Sequence, residues 1–235
     1  MRGARGWPAA VTRVTLAAFP TKRSRMLLSH PSQAPDETLV AELRDYPEWH
    51  RGRRRYAIWM APVHCPALLA YLCELQARLG DLLHATERQA HLTLFVCGFE
   101  QPQARSDDDF TAAQLRRQID ALARLRSPAG TLELGAPDSF ASAAFVPVID
   151  RHGLLQRWRA ALAQGGREVR QAAYVPHITL GLYKRRIGAG ELRQRLAELP
   201  AAPHSQLQID ELHFATYASD ALFGRLDTQR RIPLG

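Results

Sequence analysis

Two histidine–threonine pairs are the residues of this sequence that are best suited to catalysis. They lie in the segments His91-Leu-Thr-Leu-Phe-Val and His177-Ile-Thr-Leu-Gly-Leu. Each segment opens an apolar run typical of a buried strand, and side chains two positions apart on a strand share a face. We therefore expect each histidine to point the same way as its threonine, while the apolar residues between them enter the core.

An imidazole beside a hydroxyl suits acid–base chemistry with binding of an oxyanion. A histidine pair with pKa values near 7 can take up one proton and give up another, which predicts a bell-shaped pH–rate profile. The hydroxyls of Thr93 and Thr179 can donate hydrogen bonds to an oxyanion held between the imidazoles. No carboxylate cluster or Cys/His set with metal-ligand spacing accompanies these residues, so we expect no metal.

The bare tripeptide is a weak signal, because His84-Ala-Thr86 repeats it outside an apolar strand. The competing interpretation is that His91 and His177 are satisfied within a sheet and that the threonines reflect strand propensity. Two copies, 86 residues apart and each in an apolar strand with a similar neighbourhood, favour the functional interpretation.

The order of predicted elements repeats along the chain. Strands are predicted at 56–60, 91–97, 131–134, 143–149, 175–183, 207–217 (with a bulge) and 221–226 or 230–234, and helices at 66–79, 110–126, 153–163 and 190–199. This order indicates a duplicated half rather than a short repeat. We predict an α+β fold with two pseudo-symmetric lobes, approximately 53–135 and 136–235, each an antiparallel sheet with helices on its outer face. The active-site cleft should lie between the lobes.

The basic charge of the protein is concentrated at its N-terminus. The net charge is +8, of which residues 1–25 carry +6 and the other 210 residues only +2. We expect residues 1–52 to be a basic, partly disordered extension, and Met26 is an alternative start. Within 26–55, Tyr46 and Trp49 are expected to pack on the fold.

Composition indicates a globular protein of the reducing cytoplasm. No apolar run approaches the length of a membrane span, and no CxxC pair occurs among the three cysteines. Cys73 and Cys97 lie in apolar patterns and are expected to be buried. We expect a monomer without an obligate protein partner.

The paired motifs resemble those of the two-histidine (2H) phosphoesterase superfamily, in particular its bacterial 2′-5′ RNA ligase-like (LigT-like) branch. The family pattern His-x-Thr/Ser-x matches His91–Leu94 and His177–Leu180, and Pro176, Phe95 and Gly98 are also similar. The resemblance covers about residues 53–235. It implies a metal-independent hydrolase without a cofactor that opens a 2′,3′-cyclic phosphate at an RNA or oligonucleotide end to a 2′-phosphate, with 2′-5′ ligation as the reverse reaction. It also implies His91 as the acid and His177 as the base, with the hydroxyls of Thr93 and Thr179 binding the non-bridging oxygens of the phosphate.

Substrate-binding candidates lie near the motifs. Some relatives carry a basic or aromatic residue shortly after the second motif, where this chain has Tyr183 and Lys184. Tyr183, Phe140 and Tyr56 are candidates for stacking a terminal base, although aromatic residues also commonly fill cores. Trp59 and Trp158 are assigned to the core.

Two alternative functions stay open at this point. One is a cyclic phosphodiesterase acting on a small nucleotide, which the near-neutral charge outside the tail favours, because long RNA calls for a broader basic surface. The other is a non-catalytic module that binds RNA ends. A nucleotide-binding enzyme of the P-loop or dinucleotide type is excluded, because neither glycine-rich motif occurs in the sequence.

Overall fold

The structure is a computed structural model that describes residues 27–170, 172–202, 206–221 and 223–235. The basic segment 1–25 and the alternative start at Met26 lie outside the described residues. Within the described ranges, no helix has both the length and the apolar character that crossing a membrane requires.

Strands and helices alternate through most of the chain. The helices are α1 (Pro47–His50), α2 (Pro66–Arg78), α3 (Ala112–Leu125), α4 (Leu154–Ala163) and α5 (Ala189–Ala197), with a 3-10 turn at Pro31–Gln33. The strands are β1 (Arg55–Pro62), β2 (His91–Glu100), β3 (Asp109–Phe110), β4 (Gly130–Leu134), β5 (Asp138–Ser139), β6 (Ala143–Ile149), β7 (His177–Leu182), β8 (Gln206–Ile209), β9 (Glu211–Ala218) and β10 (Asp227–Pro233).

One sheet runs through both lobes in the order β10-β9-β1-β2-β7-β6-β4-β8. The predicted α+β fold with pseudo-symmetric lobes is confirmed: β10-β9-β1-β2 forms one lobe and β7-β6-β4-β8 the other. The two motif strands, β2 and β7, are antiparallel neighbours through the pair Leu92–Ile178. The lobes are therefore joined at the motif strands themselves.

The lobes are not the contiguous halves 53–135 and 136–235 that the sequence predicted. β4, from the first half, pairs with β6 of the second, and β9, from the second half, pairs with β1 of the first. The expected bulged strand 207–217 is instead two strands that separate at Asp210, with β8 in one lobe and β9 in the other. A strand can form its backbone hydrogen bonds with any free antiparallel edge, so its partner need not be the strand that is nearest to it in sequence.

Local signals explain where the helices begin and which faces they bury. Thr111 caps α3 in a reciprocal arrangement with Gln114, so the helix begins at Ala112. Phe110, expected in this helix, belongs instead to β3, which runs parallel to β2. On α2 the apolar face is buried but Cys73 is exposed, contrary to prediction, because it lies on the opposite side of the helix.

The two faces of the sheet differ. One face packs under the helices in a core that contains the fully buried Trp59 and Trp158, as predicted. The apolar residues of the two motifs join this core: Leu92, Leu94, Ile178 and Leu180. The alternation of strand side chains therefore turns the motif histidines and threonines to the other face.

Residues 27–52 pack against both lobes. The amide of Ala41 donates to the carbonyl of Tyr183 at 2.8 Å in one lobe. Trp49 packs against Tyr56 and Phe99 in the other, with ring centroids 5.0 and 4.9 Å away. This part of the predicted extension is thus integrated into the fold rather than a disordered arm, because its apolar side chains find buried partners.

Candidate active site

The four polar motif residues border one cavity of about 380 Å³. The antiparallel register about Leu92–Ile178 sets His91 towards Thr179 and Thr93 towards His177. Two imidazoles and two hydroxyls from different lobes therefore face a shared space. The sequence predicted this convergence, and the junction of β2 with β7 produces it.

Both histidines are held in the same tautomer. His91 Nδ1 lies 2.7 Å from the carbonyl oxygen of Gln89, and His177 Nδ1 lies 2.7 Å from that of Val175. A carbonyl oxygen can only accept, so each Nδ1 carries the proton. The Nε2 atom of each neutral ring is therefore left with a lone pair and can act as a base.

Burial lowers the pKa of each histidine to about 4, even though the bonds from Nδ1 to the carbonyls oppose this shift. The charge of Arg88 and that of His177 lower the pKa of His91 further, and Arg170 has the same effect on His177. Values near 7, expected from the sequence, are therefore too high for the free protein. Both rings are neutral at pH 7, and an anion beside them would favour protonation.

Two arginines give the cavity a positive charge. Arg88 and Arg170 both border it, one acting on each histidine. Arg170 is paired with Glu168 at 3.2 Å. Neither arginine was predicted from the sequence, because they precede the motif histidines by different numbers of residues and no repeated spacing marks them.

Arg88 has unused hydrogen-bonding capacity. Its Nε donates to the carbonyl of Gly224 at 3.1 Å. Its Nη2 is buried and makes no hydrogen bond to any described residue. A buried donor without a partner is costly, and an anion in the adjoining cavity would satisfy it.

Aromatic and apolar side chains form the walls. Phe140 packs edge-on against the ring of His177, with centroids 5.0 Å apart, and borders the cavity as expected. Tyr56 also borders it, although its side chain is almost wholly buried. Tyr46 and Trp49, from the segment before β1, complete this wall and were not predicted to line the site.

Tyr183 and Lys184 do not border the cavity, contrary to the expected substrate contact. Tyr183 is fully buried, and its hydroxyl lies 2.6 Å from Ser139 Oγ. Lys184 is exposed, and its Nζ donates to the carbonyl of Gly80. β7 ends at Leu182, and the segment after it, which contains both residues, leads away from the cavity.

Among the described residues, one group has the composition and spacing of a metal site: His64, Glu211 and His213. It lies outside the cavity. None of the three residues borders it.

Comparison with known proteins identifies similar chains. A family model described as the 2′-5′ RNA ligase superfamily matches residues 66–221. The E. coli LigT crystal structure in apo form superposes with a TM-score of 0.54 at 16% identity, covering 78% of this chain and 99% of LigT. A crystal structure of a phosphoesterase gives a TM-score of 0.51 at 16% identity, covering 77% and 98%. No curated protein sequence matches the chain.

Proposed function

The chain belongs to the 2′-5′ RNA ligase superfamily, within the LigT-like two-histidine phosphoesterases, and from this premise we propose a specific reaction. The protein is a metal-independent phosphodiesterase that opens a 2′,3′-cyclic phosphate at an RNA or oligonucleotide end to a 2′-phosphate. The observation that carries the proposal is the cavity bordered by His91, His177, Thr93 and Thr179 together with Arg88, whose Nη2 has no partner among the described residues.

The reaction requires one imidazole in each protonation state. One neutral Nε2 accepts a proton from water as the water oxygen attacks phosphorus. The bond from phosphorus to the ribose 3′-oxygen breaks, and the other Nε2–H protonates that oxygen. The resemblance implies that His91 is the acid and His177 the base. The matching Nδ1 bonds prepare both rings for either role.

The substrate itself supplies the charge that makes one histidine an acid. Both histidines are neutral near pH 7 because burial lowers their pKa. A cyclic phosphate carries a negative charge, and an opposite charge within a few ångströms favours the protonated imidazole. The hydroxyls of Thr93 and Thr179 donate to the non-bridging oxygens, where negative charge grows during attack.

Arginine and aromatic groups complete substrate binding in this proposal. Arg88 neutralises the phosphate with its unused Nη2. Phe140 offers an apolar surface beside His177 on which a terminal base can stack. With a 5′-hydroxyl in place of water as the nucleophile, the same opening of the cyclic phosphate would form a 2′-5′ bond, and the 3′-oxygen would leave and be protonated as before. In water, hydrolysis dominates by mass action.

A second candidate is the same chemistry on a small nucleotide. The cavity volume of about 380 Å³ is near the lower end of small-molecule sites, about 300–1,000 Å³. Residues 40–49 contribute to its wall, which limits the space for further nucleotides. Comparing kcat/KM on a cyclic mononucleotide and on an oligonucleotide with the same 3′ end separates these two substrates.

The test is hydrolysis of an oligonucleotide ending in a 2′,3′-cyclic phosphate, with excess EDTA and the product identified by ³¹P NMR. We expect turnover to a 2′-phosphate, and His91→Gln and His177→Gln to lower kcat by about 10²- to 10⁴-fold. His152→Gln, which changes an exposed histidine of the β6–α4 connection, is the matched control. Tight binding without turnover would instead indicate a non-catalytic RNA-end binding module.

A further inference from the structure

Three potential metal ligands come together in the lobe formed by β10, β9, β1 and β2. His64 follows β1, and its Nε2 lies 2.9 Å from Glu211 Oε1. Glu211 and His213 are two positions apart on β9, so their side chains share a face. His213 Nε2 lies 2.7 Å from the same carboxylate oxygen. The donor atoms of all three residues lie within 4.8 Å of one another.

The buried member of this group has an unsatisfied nitrogen. His213 is 3% exposed, and its Nε2 makes no hydrogen bond to any described residue. The 2.7 Å contact of this nitrogen with Glu211 is not a hydrogen bond. A buried imidazole nitrogen that lies beside a carboxylate and a second imidazole, but makes a hydrogen bond to neither, needs another partner.

We propose that His64, Glu211 and His213 bind a first-row divalent transition-metal ion, and that zinc is the ion that fits best. Two imidazoles and one carboxylate are donors that zinc accepts, and three protein ligands leave a position for water. Tetrahedral zinc holds its ligand atoms roughly 3.3 Å apart. The contacts of Glu211 with His64 and His213, 2.9 and 2.7 Å, would therefore open by roughly 0.4 to 0.6 Å, and the nitrogens of the two imidazoles, at most 4.8 Å apart, would adjust to the same separation.

A contact from the neighbouring strand orients the buried imidazole. On the other side of His213, Nδ1 lies 3.2 Å from the hydroxyl of Thr228 on β10. Such a contact to the non-ligating nitrogen orients a metal-binding imidazole.

The ion would tie the connection after β1 to the neighbouring strand β9. Met60 is paired with His213 on one side and with Thr93 on the other, so the metal group and the catalytic face share one side of the sheet. The two positions are two strands apart, about 10 Å. None of the ligands borders the catalytic cavity, so the ion stabilises the lobe and takes no part in the proposed proton transfers.

Zinc binding to tag-free full-length protein tests this proposal. After chelation and dialysis, zinc chloride is titrated by calorimetry into wild-type protein and the variants His64→Ala, Thr228→Val and His152→Ala. We expect one stoichiometric site, at least tenfold weaker in His64→Ala, about tenfold weaker in Thr228→Val and unchanged in the control. Zinc should also raise the melting temperature of wild-type protein.

The position of the ion must be measured, because other groups can also bind zinc. These are the imidazoles of His91 and His177 and the exposed thiols of Cys65 and Cys73. A zinc-soaked crystal should give an anomalous peak between the three proposed ligands. His64 is exposed, so its variant keeps the fold even where a change of buried His213 would not. Equal affinity for zinc in the wild type and in His64→Ala, or an anomalous peak elsewhere, would overturn the proposal. The three residues would then be a cluster of ion pairs without a metal.

Discussion

Arg88 lies over the ring of Tyr217, with its guanidinium carbon 4.1 Å from the ring centroid. Neither the Nη2 of Arg88 nor the hydroxyl of Tyr217 makes a hydrogen bond to a described residue. This cation–π contact holds the guanidinium at the edge of the cavity, where its Nη2 lacks a hydrogen bond of good geometry. An anion that enters the site meets a cation already held in position.

Replacing Arg88 tests this anion contact. Arg88→Gln should raise KM for the cyclic phosphate by about ten- to a hundredfold, the effect of losing a charged hydrogen bond. It should also raise the pKa of His91, because the positive charge of Arg88 lowers it. Steady-state kinetics from pH 3.5 to 8 measures both effects. Arg88→Lys, which keeps the charge, should retain more of the affinity than Arg88→Gln; an unchanged KM in both would contradict the assignment.

The pH dependence should differ between the two kinetic parameters. The profile of kcat/KM reports the free protein, where both histidines have pKa values lowered to about 4, so its optimum should lie near pH 4. The profile of kcat reports the substrate complex. There the phosphate anion raises the pKa of the acid, so the alkaline limb should move to higher pH. Coincident profiles for the two parameters would argue against this mechanism.

The two threonine hydroxyls should act mainly on the chemical step. Thr93→Val and Thr179→Val each remove a donor to the phosphate oxygens and should lower kcat by about 10²- to 10³-fold. Serine at either position should restore much of the rate, because it keeps the hydroxyl. Thr131→Val, at an exposed position on β4, is the control for a strand threonine. If the valine variants have the same kcat as the wild type, the threonine hydroxyls take no part in the chemical step.

Changes at Tyr183 and Lys184 should leave kinetics unaltered, since neither residue borders the cavity. Tyr183→Phe loses the hydrogen bond to Ser139 and should lower the free energy of unfolding by about 1 kcal/mol. Lys184→Ala should change little in either measurement. Urea denaturation, together with kcat and KM on the cyclic substrate, checks this prediction. A raised KM in either variant would support the substrate contact that was expected from the sequence.

Gly98 should not tolerate a side chain. Its φ is +112°, and a Cβ there would lie 2.3 Å from the carbonyl oxygen of Asp108, whose backbone cannot move away cheaply. Gly98→Ala should lower the free energy of unfolding by roughly 2 kcal/mol or more. Gly190→Ala is the matched control, because a Cβ in that helix meets nothing and should stabilise it slightly. Thermal denaturation compares the two.

Local patterns predicted the parts of the site that lie within single strands. The alternation in His91–Leu94 and His177–Leu180 identifies two strands and the face of each on which the histidine and threonine lie, since neighbouring strand residues point to opposite sides. The same patterns located most helices to within a residue or two. The duplicated order of elements also predicted two related lobes.

Contacts between distant segments could not be predicted in this way. Arg88 and Arg170 have no common spacing to the motifs, and His64 lies 147 residues from Glu211. Residues 27–52 were assigned to a partly disordered extension from which Tyr46 and Trp49 were expected to pack on the fold, yet backbone hydrogen bonds also join this segment to the other lobe.

The sequence by itself determined which side chains do the proposed chemistry, because periodicity along a strand is a local property of consecutive residues. Only the tertiary structure decided how those side chains meet. The exchange of β4 and β9 between the lobes, the pairing of Leu92 with Ile178 and the arginines beside the cavity all depend on which strand edges and charges come together in space. Such pairings satisfy backbone hydrogen bonds and burial across the whole molecule.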